Sequence, residues 1–393
     1  MMHGFEFYTP TRVIFGAGSL EKLPEAVGRC GAKRVFVIYG GQSAKKSGTL
    51  DRVEALLTGA GIAFAASGGV KPNPRLGLAR EAIREAIALG ADLILAVGGG
   101  SVIDTAKATA HGTANPEADI WDIWMGKVKL EKSLPVGVVL TIPAAGSEMS
   151  DSAVLTDEAA LAKRGLNTDL NRPAFALMDP ALAATLPARQ AACGVTDIMM
   201  HTLERYVNPL ENDMTDEIAE ALLRVVIRHG EAVVKNPSNI DAMSEIMWAG
   251  SLSHNNLTGL GGKKDFSVHQ FGQAIGEKFD IYHGETLSAM WASYARYVAP
   301  TNFARFARYA RNVWGVEEAD DEKAAMAGID ATEAYFKRLG MPVRIAELSC
   351  GVQDEAGLYD LALRCSRNRG RTIGSFRVLD FEDMLNVYQM ANK

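Results

Sequence analysis

Asp197 and His201 in GVTDIMMHTLERY, and His269 and His283 in DFSVHQFGQAIGEKFDIYHGE, are the residues of this chain best suited to chemistry. Residues four apart on a helix project from one face, so the Asp197 carboxylate and the His201 imidazole can converge on a single ion. One helix cannot serve the second pair in that way, because an unbroken helix would hold His269 and His283 roughly 21 Å apart. The chain must turn back between them. Gly272, Gly276 and the stretch Phe279, Asp280, Ile281, Tyr282 are the places where it can. Three neutral imidazoles and one carboxylate make a borderline N/O ligand set, suited to Fe(II), Zn(II), Mn(II) or Co(II) and poorly suited to Cu(I) or Ca(II). A lone Asp or His on an amphipathic helix is more often a surface or hydrogen-bonded core residue, so the context has to come from the rest of the chain.

Between about residues 11 and 180, short apolar runs alternate with amphipathic stretches. RVFVIY (34 to 39), LILAV (93 to 97) and VGVVLTI (136 to 142) read as buried parallel strands, and DRVEALLTGAG and GLAREAIREAIALG carry helical spacing and end in Gly. This pattern predicts a doubly wound, mostly parallel α/β domain with ligand-binding loops at the carboxyl ends of its strands. From Pro187 onward the periodicity is helical almost throughout, which predicts an all-helical second domain. The boundary is placed near residue 184, giving a cofactor-binding domain over 1–184 and a metal-binding and substrate domain over 185–393.

Bulk properties set the class. A chain of 393 residues exceeds what one hydrophobic core usually supports, and 48% apolar with 22% charged residues is ordinary for a globular protein. A net charge of -6 and a pI near 5.7 argue against nucleic acid and anionic membranes as partners and toward a small molecule. The opening segment MMHGFEFYTP has neither a basic region nor an apolar core, so no signal peptide is expected, and no apolar run is long enough to span a bilayer. Cys30, Cys193, Cys350 and Cys365 lack metal or disulfide spacing, which suits reduced thiols and a cytoplasmic location. Cys193, four residues before Asp197, reads as a small buried thiol.

Two strands run into glycines. After LILAV come Gly98, Gly99, Gly100 and Ser101, then VIDTAKATAHG; a strand, a glycine turn and a helix N-terminus place backbone N–H groups where a pyrophosphate can dock. After RVFVIY come Gly40, Gly41, Gln42 and Ser43, then Ala44, Lys45 and Lys46. An NAD-preferring site often carries an acid near the ribose 2′-hydroxyl. Here small residues and two lysines leave room and positive charge for a 2′-phosphate, which favours NADP(H) over NAD(H).

Taken together, these segments resemble the iron-containing alcohol dehydrogenase family, and more narrowly its NADPH-using, butanol-dehydrogenase-like branch of broad-range aldehyde reductases. The likeness runs from FEFYTPTRVIFGAGSLEKLP through KPNP, VGGGSVIDTAK, LTIPAAGSEMS and DPALAATLPARQAACGVTDIMMHTLERYV to the two histidine segments. It implies a dehydroquinate-synthase-like architecture, with Asp197, His201, His269 and His283 as metal ligands and Fe(II) or Zn(II) as the ion. It also implies that Asn73, Gly99, Gly100, Ser101, Asp104, Thr141, Ser147, Lys163 and Leu182 line the cofactor site, with Gly40, Gly41, Gln42 and Ser43 around a 2′-phosphate. The strand near Arg12 to Phe15 is similar to one that pairs across a dimer in relatives, which implies a homodimer. Two positions depart from the family pattern. Gln273 stands where many relatives carry a histidine, and Ala145 where a threonine is usual.

The expected reaction is hydride transfer between NADP(H) and a small primary alcohol or aldehyde at a cleft, with the metal as Lewis acid and no protein nucleophile. The alternatives are a glycerol-dehydrogenase-like or dehydroquinate-synthase-like enzyme, or a dinucleotide-binding module without catalysis. Asp104 reads as ordering its loop, and His3, His111 and His229 as structural or exposed. His254 in SHNNLTGLGG is a candidate to face the cleft, and Arg364, Arg367, Arg369 and Arg371 read as a solvated loop.

Overall fold

Continuous apolar runs bury both faces of a strand, and the centre of the sheet is built from such runs. The computed structural model describes residues 3–160 and 162–393, so Met1, Met2 and Leu161 lie outside it and the opening segment is described from His3. The strands are β1 (Arg12–Phe15), β2 (Arg34–Tyr39), β3 (Ala63–Ser67), β4 (Leu93–Gly98), β5 (Val136–Leu140), β6 (Ser152–Asp157), β7 (Ala162–Asn167) and β8 (Phe175–Met178). Among the described residues, six of them form one sheet in the order β1-β8-β5-β4-β2-β3, and every pairing in it is parallel. The three apolar runs chosen from sequence are β2, β4 and β5, at the centre of this sheet. β5 stops at Leu140, before Pro143.

Successive residues of a strand face opposite sides. Val35, Val37, Leu93, Leu95 and Val97 accordingly pack with Leu23 and Val27 of the helix Leu23–Arg29 and with Leu50, Val53 and Leu57 of the helix Thr49–Gly59. A further core joins Leu76 and Ala79 of the helix Leu76–Leu89 to Ala108 of the helix Gly100–Ala114. Gly90 closes Leu76–Leu89 in the left-handed conformation, as its place at the end of the periodic run predicts. The antiparallel pair β6 and β7 is absent from the sequence reading. AKRGLN carries two adjacent cations and a glycine, which hides its strand character.

Beyond Pro187 the described residues form helices and short connections, with an isolated Ile373–Leu379 bridge. The chain divides into two compact units. One comprises Tyr8–Leu186 with Pro237–Ser251, and the other residues 3–7 with Pro187–Asn236 and Leu252–Lys393. Both units are therefore discontinuous, which single cuts in the sequence do not represent. Local contacts account for this: Ser251 Oγ donates to buried Glu148 at 2.5 Å and Trp248 meets Phe15 edge-on, whereas the His3 amide donates to Asn212 at 2.9 Å.

Candidate metal centre and cofactor cradle

The helix Ala188–Tyr206 is buried along most of its length, and it carries Asp197 and His201 on one face. The helix Ser267–Phe279 brings His269 in its first turn, and Asp280, at φ 53°, ends it in the left-handed conformation. The helix His283–Val298 then starts at His283. The reversal thus lies within the stretch Phe279 to Tyr282, while Gly272 and Gly276 remain helical. Gly272 serves packing instead, since a Cβ there would sit 2.7 Å from Thr286 Oγ1.

Three imidazole nitrogens surround one carboxylate oxygen. Asp197 Oδ1 is 3.6 Å from His201 Nδ1, 3.6 Å from His269 Nε2 and 3.9 Å from His283 Nε2. For bonds near 2.1 Å at tetrahedral angles, donors lie about 3.4 Å apart, so these spacings suit one ion. Ligand atoms of Asp197, His269 and His283 all fall within 4.8 Å of one another, and His201 lies beside that group, its ring stacked on His269 at 4.6 Å. Asp197 Oδ1, His201 Nδ1 and His269 Nε2 are buried and have no hydrogen-bond partner. Buried polar atoms left unpaired are costly, and three converging on one point fit a bound cation.

The electrostatics differ between the rings. Burial, then the neighbouring His254 and His269, hold His201 well below the usual histidine range. Burial also opposes charge on His269, but the Glu204 and Asp197 carboxylates outweigh it and lift that ring to about 9. Burial pushes the Cys193 thiol up to about 12.

Sequence reasoning passes over Glu204. Its side chain is 1% exposed and accepts hydrogen bonds from the Val268 and His269 amides and from His269 Nδ1. The available signal is its position three residues after His201, on the same face of the helix. His254 lies with its ring 4.0 Å from His201. Gln273 donates to Glu277 at 3.1 Å. The arginine segment departs from the solvated-loop expectation at Arg371, which donates to Gln270 at 2.6 Å, while Arg369 stacks on Phe381. His111 is structural, bridging Ser133 and Asn171 at 2.8 Å each.

In the α/β unit, Gly98, Gly99 and Gly100 connect β4 to the helix Gly100–Ala114, whose start no side chain caps. The first N–H groups of such a helix suit a phosphate. The glycines also meet an internal demand: a Cβ at Gly98 would lie 2.5 Å from Val102, and one at Gly99 2.7 Å from Ile142. Ala145 packs against this turn, 3.0 Å from where a Gly100 Cβ would stand. Thr141 donates its amide to the Gly98 carbonyl at 3.1 Å. Asn73, left-handed at φ 59°, accepts from Lys163 Nζ at 3.1 Å.

Gly41, Gln42 and Ser43 are exposed beside Gly40, and Lys45 Nζ stands 5.2 Å over the Tyr39 ring. Leu182 packs against the sheet core from the short turn Pro180–Ala183. Ser101 is the second residue of the helix Gly100–Ala114. Asp104 and Ser147 are committed elsewhere. Ser147 Oγ donates to Asp104 and accepts from Lys107, and Asp104 also accepts the Val154 amide. Burial raises the Asp104 carboxyl and lowers Lys107 to about 8.

A parallel-sheet unit with an uncapped glycine turn, and a helical unit with three histidines around an aspartate, are parts that a nicotinamide-dependent metal oxidoreductase would use. Comparison with known proteins gives the family. Residues 10–180 match the profile described as iron-containing alcohol dehydrogenase, and residues 190–392 match that family's C-terminal profile. The chain is 36% identical to NADH-dependent butanol dehydrogenase A of Clostridium acetobutylicum, over 99% of this chain and 100% of that protein. It is 34% identical to the NADPH-dependent aldehyde reductase YqhD of Escherichia coli, over 88% and 89% respectively. Among solved structures, an NADH-dependent butanol dehydrogenase A from Thermotoga maritima superposes with a TM-score of 0.95 at 32% identity, covering 100% of this chain and 99% of that one. The chain belongs to the iron-containing alcohol dehydrogenase family. It is an NAD(P)-dependent alcohol dehydrogenase or aldehyde reductase, which sets aside the non-catalytic module.

Proposed function

We propose that this enzyme interconverts a small primary alcohol and its aldehyde with NADP(H), using one divalent ion, Fe(II) or Zn(II), held by Asp197, His201, His269 and His283. The observation that carries the metal reading is the convergence of three buried, unpaired donor atoms from Asp197, His201 and His269. When bound, the ion supplies Lewis acidity toward the substrate oxygen, and the nicotinamide is the hydride partner. Asp197 contributes the one negative charge among the ligands, and neutral His201 offers a lone pair. The amides at the start of Gly100–Ala114 and the Lys163 ammonium, steadied by Asn73, hold cofactor phosphate and ribose oxygens.

The NADP(H) preference rests on the exposed Gly41, Gln42 and Ser43 next to Gly40, with Lys45 and Lys46 beside them. Relatives are named for either cofactor, NADH in Clostridium acetobutylicum and NADPH in Escherichia coli, and the loop is what supports NADP(H). A homodimer is proposed on the position of β1 at the sheet edge, with Phe15 41% and Tyr8 51% exposed near it. Cytoplasmic residence is proposed from the four free cysteines.

The test is oxidation of NADPH and NADH with butanal, on protein stripped by a chelator and reloaded separately with Fe(II) and Zn(II). Metal-dependent turnover with a kcat/KM at least about tenfold higher for NADPH is expected, since one good charge contact to a phosphate is worth roughly 1.5–3 kcal/mol. Equal use of NADH overturns the cofactor reading. Turnover unaffected by metal removal overturns the metal reading.

A further inference from the structure

The helix Ser267–Phe279, which carries His269, starts without a cap of its own. Its N-cap residue is Phe266, left-handed at φ 55°, and no side chain of the cap accepts from the first turn. The acceptor comes from a distant point of the chain. Glu204 Oε1 takes the Val268 amide at 2.5 Å and the His269 amide at 3.3 Å, while Oε2 takes His269 Nδ1. A carboxylate at a helix N-terminus is stabilised by the helix dipole as well as by these N–H groups. The Glu204 carboxylate thus ties the helix bearing Asp197 and His201 to the helix bearing His269.

We propose that Glu204 is a positioning residue for the metal centre, holding the proton of His269 on Nδ1 so that Nε2 presents its lone pair toward Asp197. This inference rests on the metal reading above. The neutral ring has one donor and one acceptor nitrogen, so whatever holds one nitrogen determines the other. Both carboxylate oxygens face donors, and Nε2 is the atom left buried and unpaired 3.6 Å from Asp197 Oδ1.

Glu204→Gln separates this role from a merely structural one. The amide oxygen can still accept the two backbone N–H groups, so the helix cap survives. Its NH2 group then faces Nδ1 and turns that nitrogen into an acceptor, which puts the ring proton on Nε2 and blocks the lone pair. The opposite amide orientation would set NH2 against two backbone donors and is worse.

The experiment measures Zn(II) affinity by competition with a chromophoric chelator, alongside unfolding of the metal-free proteins, for the parent, Glu204→Gln, Glu204→Asp and Asp197→Ala. A ten- to hundredfold weaker affinity is expected for Glu204→Gln, the range usual when a ligand histidine loses its partner, with folding retained. Glu204→Asp keeps the charge but lacks the reach, and is expected to weaken binding too. Parental affinity in either Glu204 variant overturns the proposal. Should both variants fail to fold, 15N spectra of histidine-labelled, Zn(II)-loaded parent decide it: a proton on His269 Nδ1 with metal at Nε2 supports the proposal, and the reverse overturns it. Parental affinity in Asp197→Ala would instead overturn the metal reading itself.

Discussion

Asp197 is the residue on which the centre turns, because its Oδ1 is the atom nearest to all three imidazoles. In the metal-free protein that oxygen is buried without a partner, so removing it should not destabilise the fold. Asp197→Ala is expected to bind less than about a tenth of the parent's metal, measured by plasma emission. Zn(II) at a thousand times its Kd should stabilise the parent by about 4 kcal/mol and the variant by much less. A variant that keeps stoichiometric metal and the full thermal shift would refute the assignment. The i, i+4 spacing of Asp197 and His201 is legible in the sequence because a helix makes that proximity local. Glu204 lies on the same face, but its partner is 65 residues further on. No local rule connects them.

Helix approach decides where His283 comes to rest. A Cβ on Gly284 would meet the Cys193 backbone at 2.6 Å, so the absence of a side chain there lets His283–Val298 lie close against Ala188–Tyr206. Gly284→Ala is expected to destabilise the protein by about 3 kcal/mol, the upper part of the range for overpacking, and to weaken metal binding. Urea unfolding within about 0.5 kcal/mol of the parent would show that the contact yields easily. In the α/β unit, His111 gives a prediction in pH. Burial holds its ring down to about 4, against the Asn171 hydrogen bond, while the unfolded ring titrates near its ordinary value. Between about pH 6.5 and 4 the unfolded chain binds the extra proton, so this contribution is present above 6.5 and is lost on acidification, amounting to about 3 kcal/mol. His111→Gln should flatten the fall in unfolding free energy over that window. An unchanged slope would exclude His111 as its source.

For the molecule as a whole, the edge strand β1 is what the proposed homodimer rests on. Its backbone pairs with β8 on one side alone among the described residues, and Phe15 stands half out in solvent against Trp248. An unprotected edge with aromatic side chains invites pairing with another copy. Sedimentation velocity is expected to show a species of twice the 42.2 kDa chain mass, and Phe15→Glu to shift it toward the single chain. A parent sedimenting as a single chain at tens of micromolar would refute the homodimer.

The sequence by itself determined the class of fold and the residue types of the site. VFVI within RVFVIY, LILAV and VGVVL carry no polar side chain, and burial on both faces of a parallel sheet demands that. Helical periodicity beyond Pro187 is equally local, and so is the need for a reversal between His269 and His283. Tertiary structure alone decided which segment of the chain joined which unit, as with Pro237–Ser251 beside the sheet. It decided that Asp104 and Ser147 direct their side chains to Lys107 and Val154. It also brought Glu204 to the start of the His269 helix. These outcomes depend on which surfaces meet when helices pack, and residue spacing along the chain carries no record of contacts made across it.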